Sequence, residues 1–166
     1  MEQLMQLYLL LQLFLIVIPA LNLNLEVGDC LKQNQLKKIQ NNSMSEIRLG
    51  ILGGGQLGSM LSAAAKKLNI KTLIYSDDQD APAQNFCDEF MFGDYKDKNK
   101  INDFVKKVSI VTYEFENIPY ETLNEINKFK TVNPKPSINR LIQHRLAEKD
   151  FVNKLNIRTT RYVSIE

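Results

Sequence analysis

Ile47-Arg-Leu-Gly-Ile-Leu-Gly-Gly-Gly-Gln-Leu-Gly58 sets a short apolar run directly against a glycine-rich turn. Ile47, Leu49, Ile51 and Leu52 read as a buried strand, and Leu57, Leu61, Ala64 and Leu68 recur at helical spacing after the turn. Gly53, Gly55 and Gly58 satisfy G-x-G-x-x-G, with Gly54 inside the same loop. Glycine permits positive φ and close approach of ligand atoms to the main chain, while the first helical turn exposes unpaired N–H groups. The loop is therefore expected to hold a phosphorylated or carboxylated group.

Working outward, the alternation continues. A helix over 56–68 is expected to stop at Asn69, and Lys71-Thr-Leu-Ile-Tyr-Ser76 reads as a second strand. Asp78 to Ala83 reads as a turn with a short helical start, and Phe90-Met-Phe92 as a third strand. Ile101, Phe104, Val105 and Val108 share one helical face, and Ser109 to Tyr113 forms a β-branched fourth strand. Asn117 and Pro119 read as the cap and first position of a helix through Leu123 and Ile126, with Thr131-Val132 as a fifth strand. This pattern predicts an α/β fold, a Rossmann-like parallel sheet flanked by helices.

Ligands of such sheets gather beyond the carboxyl ends of the strands. Three segments reach that edge: the glycine loop, the Ser76-Asp77-Asp78 turn and Glu114-Phe-Glu-Asn117. On extended chain Glu114 and Glu116 point the same way and could bind an amine or a metal; alternatively they satisfy backbone amides where the next helix starts. A dinucleotide fold ends its second strand in an acid, and here Ser76 stands there. That leaves a small NAD(P)-dependent oxidoreductase, or a Rossmann-type nucleotide-binding module, as the weaker readings.

The 166 residues suffice for one ordinary core, and a formal charge of +2 gives no general attraction to nucleic acid. Cys30 and Cys87 are far apart and outside any metal or redox spacing, so both thiols are expected to be free, as in a reducing cytoplasm. The apolar run from Leu7 to Leu21 is shorter than the ~20 residues that span a bilayer, and no membrane association is expected. Residues 1–43 are expected to form an upstream extension outside the fold, which would start at Met44; a targeting segment and a real helix are the alternatives.

Several runs resemble a known family, and the resemblance covers Met44 to the end. They are Gly53-Gly-Gly-Gln-Leu-Gly58 with Met60, Asp80-Ala-Pro-Ala83, Asp88-Glu89, Gly93-Asp94-Tyr95 and above all Val111-Thr-Tyr-Glu-Phe-Glu-Asn-Ile-Pro119. Pro134, Pro136, Gln143-His-Arg-Leu-Ala-Glu-Lys149 and Leu155-Asn-Ile-Arg-Thr-Thr160 continue the match. Together they resemble 5-(carboxyamino)imidazole ribonucleotide synthase, the ATPase subunit of phosphoribosylaminoimidazole carboxylase, in the ATP-grasp superfamily.

The resemblance implies a pre-ATP-grasp domain over 44–137 and the incomplete helical start of the ATP-grasp domain over 138–166, truncated before the clamp. It implies an ATP-dependent carbon–nitrogen ligase of de novo purine synthesis that carboxylates aminoimidazole ribonucleotide with bicarbonate. ATP and Mg2+ would serve the full-length, dimeric, cytoplasmic enzyme; the magnesium ligands and catalytic groups would lie beyond this chain, which alone should be inactive. Gln56, Leu57 and Glu114 fall on substrate-binding positions and Arg145 on the adenine-nucleotide-binding arginine. Three departures stand out: Ser59 where arginine is usual, His144 where aspartate commonly precedes Arg145, and Ser76 in place of a common acid.

Overall fold

In the computed structural model, which describes residues 47–163, β1 (Arg48–Leu52) turns through Gly53–Gly55 into α1 (Gln56–Lys67). Residues 1–43, Met44 and Cys30 lie outside the described residues. Leu49, Ile51 and Leu52 are fully buried, as a strand covered on both faces requires. After α1, Asn69 takes a left-handed conformation with φ 57°, and Ile70 N–H donates back to Ala65 O at 3.0 Å. Asparagine tolerates that conformation, so the helix stops there as expected.

β2 (Lys71–Ser76), a 3-10 turn (Pro82–Asn85) and β3 (Glu89–Phe92) follow. Then come α2 (Lys98–Lys107), β4 (Ile110–Tyr113), α3 (Tyr120–Asn127), β5 (Val132–Asn133), α4 (Pro136–Ile142) and α5 (Arg145–Lys154). All five strands are parallel, in the order β3-β2-β1-β4-β5. β1 is central: Leu52 pairs with Tyr75 of β2 on one side and Tyr113 of β4 on the other.

Strand alternation sends apolar side chains to two helical layers. Leu49, Ile51, Ile74 and Ile110 pack with Leu61, Ala64 and Ala65 of α1. Leu52, Leu73, Tyr75 and Val111 pack with Ile101, Phe104 and Val105 of α2 and Leu123 and Ile126 of α3. Asp97 fixes the start of α2, accepting from Asn99 N at 3.0 Å and Lys100 N at 3.1 Å.

Several sequence expectations need correction at the element ends. β3 starts at Glu89, one residue early, and Ser109 lies before β4, its N–H donating to Arg48 O at 2.8 Å. Asn117 does not cap α3. Leu123 N–H donates to Pro119 O at 3.2 Å, so Pro119 occupies the cap position and Tyr120 opens the helix, while buried Ile118 pulls the preceding turn inward. β5 begins at Val132, not Thr131. α4, in which residues 137 and 138 lie, packs on α3 and buries Asn139 completely.

Candidate functional site at the carboxyl edge of β1 and β4

Strand order reverses between β1 and β4, since the chain runs outward from β1 through β2 to β3 and then returns to β4. The crevice at such a switch point is where an open parallel sheet receives ligands. Two segments meet there, the glycine loop after β1 and Glu114 after β4.

Gly53 has φ +108°, which side-chain-bearing residues rarely adopt, and its N–H prolongs the sheet by donating to Tyr75 O at 3.0 Å. A Cβ there would lie 2.7 Å from Glu114 Oε1. Gly54 is buried against Ser76 and Ala81, and its carbonyl accepts from Ala83 N at 3.1 Å. Gly58 brings α1 against Gly53 O, where a Cβ would come within 2.8 Å. Gln56 and Leu57 are exposed at the start of α1.

Gly55 occupies the cap position of α1 without a side chain to offer, and its N–H donates to Glu114 Oε1 at 2.9 Å. Glu114 itself continues the β1–β4 pairing, its N–H donating to Leu52 O at 3.2 Å. One amide beside the expected anion cradle is therefore taken from within: a carboxylate 59 residues away binds the main chain where the helix opens. Glu114 thus satisfies an amide at α1 rather than at the start of α3. Burial pushes the Glu114 carboxyl above its ordinary range; the Gly55 N–H opposes that shift and the Glu116 charge adds to it. Glu116 is exposed, because the chain turns after Glu114 instead of running extended.

Tyr95, between β3 and α2, is a member of this edge to which sequence reasoning gave no role. It is 6% exposed, its ring centroid 5.8 Å from that of Tyr75. Burial and then the Asp77 charge push its hydroxyl upward, against hydrogen bonding from Ser76 and the Asp77 main chain, and Glu114 adds a smaller push. The only signal in the sequence was its place in the Gly93-Asp94-Tyr95 turn. The carboxyl edge thus gathers Glu114, Tyr95, Ser76 and Asp77 with no cation paired to Glu114 among the described residues. Such a set accepts N–H and O–H donors from a ligand.

The three departures from the family pattern have local explanations. Ser59 is buried and donates from Oγ to Gly55 O at 3.0 Å, bracing the loop. Ser76 Oγ accepts from Asp78 N at 3.1 Å within the turn after β2. His144 caps α5, its Nδ1 accepting from Ala147 N at 3.3 Å, a duty that aspartate also performs.

Arg145 stands apart from the glycine loop. It opens α5, 81% of its side chain is exposed, and its guanidinium pairs with Glu148 at 2.7 Å. Cys87 is free, with burial raising its thiol. No group of three or more His, Cys, Asp and Glu side chains that could hold a metal ion gathers among the described residues, and no helix among them is long and apolar enough to cross a membrane.

Residues 44–143 match the ribonucleotide synthetase preATP-grasp domain. The chain is 38% identical over 118 residues to the bifunctional purine synthesis protein purC/E of Dictyostelium discoideum, covering 71% of this chain and 12% of that protein. It is 32% identical over 118 residues to N5-carboxyaminoimidazole ribonucleotide synthase of Staphylococcus epidermidis, covering 71% and 32%. The chain therefore spans about a third or less of these relatives. Among solved structures, the N5-carboxyaminoimidazole ribonucleotide synthetase of Thermus thermophilus superposes with a TM-score of 0.65 at 33% identity, over 67% of this chain and 31% of that one. The Aspergillus clavatus N5-carboxyaminoimidazole synthase, solved with ADP and 5-aminoimidazole ribonucleotide, gives 0.61 at 29% identity over 69% and 31%. A glycine loop braced by the acid of a neighbouring strand, on a sheet ordered β3-β2-β1-β4-β5, is thus met in a chain that belongs to the ribonucleotide synthetase preATP-grasp family.

Proposed function

We propose that this chain is the aminoimidazole ribonucleotide-binding part of a cytoplasmic ATP-dependent carbon–nitrogen ligase, which carboxylates that ribonucleotide with bicarbonate in de novo purine synthesis. The observation that supports this reading best is Glu114. It is half-buried at the switch point, held on Gly55 N–H at 2.9 Å, and left without a cationic partner among the described residues. A carboxylate so held accepts hydrogen bonds from an amine or from ribose hydroxyls, the donors that an aminoimidazole ribonucleotide carries. Gln56 and Leu57, exposed where α1 opens, would line the same ligand.

Arg145 would meet the adenine nucleotide by giving up Glu148 for phosphate, a partner suited to its planar and permanently charged fork. Magnesium would screen the triphosphate during phosphoryl transfer to bicarbonate. Its ligands would be carried by the clamp of the full-length enzyme, and no step here runs through it. The full-length enzyme would work as a homodimer, and this chain alone would bind substrate without turning over ATP.

Calorimetric titration of the 166-residue chain with aminoimidazole ribonucleotide tests the reading. Saturable binding that Glu114→Gln weakens at least about tenfold is expected, the share of one charge-assisted hydrogen bond. Binding that Glu114→Gln leaves unchanged, or ATP hydrolysis by this chain in the presence of the ribonucleotide and bicarbonate, would overturn it.

A further inference from the structure

We propose that Gln143 and Asn139 of the α4 segment are positioning residues, a latch that holds the Glu114 loop against the glycine loop and joins it to the helix that opens with Arg145. Gln143 Nε2 donates to Glu116 O at 2.6 Å and to Ile118 O at 2.8 Å, and Asn139 Nδ2 donates to Ile118 O at 2.9 Å. The two side chains are four residues apart, so they reach from one face of the helix. Together they use both lone pairs of one carbonyl and a lone pair of another, in the irregular turn between β4 and α3.

The fastened carbonyls belong to residues two and four positions after Glu114. Fixing a backbone costs conformational entropy, and a latched turn has met that cost before a ligand arrives. Gln143 also lies two residues before Arg145, with only His144 between them, so the latch sits at the short turn that leads into α5. The function of the latch rests on the reading of Glu114 as a substrate contact; its geometry does not.

The test uses the full chain carrying Gln143→Ala or Gln143→Glu, the latter keeping the length and removing both donors. Gln143 is exposed, so both variants should fold and melt close to the parent. The amide proton of Gly55, followed by 1H–15N NMR, reports whether Glu114 remains docked. In both variants it is expected to move toward its position in Glu114→Ala, with affinity for aminoimidazole ribonucleotide falling about tenfold. An unmoved Gly55 amide in either variant overturns the latch, whatever happens to the melting temperature; a fall in melting temperature alone marks Gln143 as merely structural. If Glu114→Gln binds the ribonucleotide as the parent does, the substrate reading fails, while the amide still decides the latch.

Discussion

Glu89 and Glu114 sit at opposite ends of one parallel sheet, and the chain treats their charges in opposite ways. Glu89 opens β3 between two cations: Arg48, the first residue of β1, at 2.5 Å, and Lys107, at the end of α2. The hydrogen bond from Lys107, and after it that from Arg48, hold the Glu89 carboxyl below the usual carboxylate range. Glu114 leaves β4 at the other end with the Gly55 N–H as its donor and, among the described residues, no such cation, and burial holds its carboxyl above that range. A paired acid has spent its charge on the fold. An acid kept partly buried and unpaired retains acceptor capacity for something else, which is why perturbed groups of the second kind mark functional sites.

The sharpest way to break this contrast is at Gly53. Gly53→Ala forces a side chain onto φ +108° and against Glu114 Oε1, which can retreat only by abandoning Gly55. We expect a loss of about 2–3 kcal/mol in urea unfolding, together with loss of ribonucleotide binding. A stability equal to the parent's would mean that the loop geometry is not strained in this way.

Next in size is Glu114→Gln. Affinity for the ribonucleotide should fall at least about tenfold while the melting temperature holds or rises, because the variant removes a charge that burial disfavours. Glu89→Gln should do the reverse, costing about 0.5–1 kcal/mol with affinity unchanged, as a partly exposed ion-pair cluster would.

Acidity separates the two acids further, since neither glutamine titrates. Glu114 has a raised value, so its contribution relative to glutamine is fully present below its ordinary value of 4.5 and is lost as pH rises through the raised one. Glu89 has a lowered value, so its contribution is present above 4.5 and is lost as pH falls through the lowered one. Unfolding curves of parent and variants across the acid range should give differences of opposite slope. Parallel slopes would erase the distinction.

The smallest effect expected is from His144→Asp. It keeps an acceptor at the start of α5 and adds negative charge near the positive end of the helix, for a gain of about 0.5 kcal/mol in thermal unfolding. A loss would show that the imidazole does more than cap.

The parts of the molecule legible in the sequence are those written in local periodicity. β1, the glycine turn, α1 and β2 were readable because Leu49, Ile51, Leu61 and Ala64 repeat at the spacing of their own element. The Ile101-Phe104-Val105 face of α2 was readable for the same reason. Element ends were less so, since a cap depends on which carbonyl the first helical amides find; Pro119 rather than Asn117 met that condition. The site was legible in its members and not in its wiring. Glu114 could be singled out, but its bond to Gly55 joins residues 59 apart, and no local pattern encodes a partner at that distance. Tyr95 and the amide donors of Asn139 and Gln143 were hidden likewise, because their partners come from other elements.

That 59-residue span also sets an order of assembly. β1 can pair with its near neighbour β2 across the α1 crossover early, but the pairing of β1 with β4 closes a longer loop whose entropy must be met first. Until Glu114 has emerged, the amide of Gly55 has only water to bond. The nascent chain therefore carries a glycine turn without its acid, and the binding edge is completed late, when the sheet closes around its central strand.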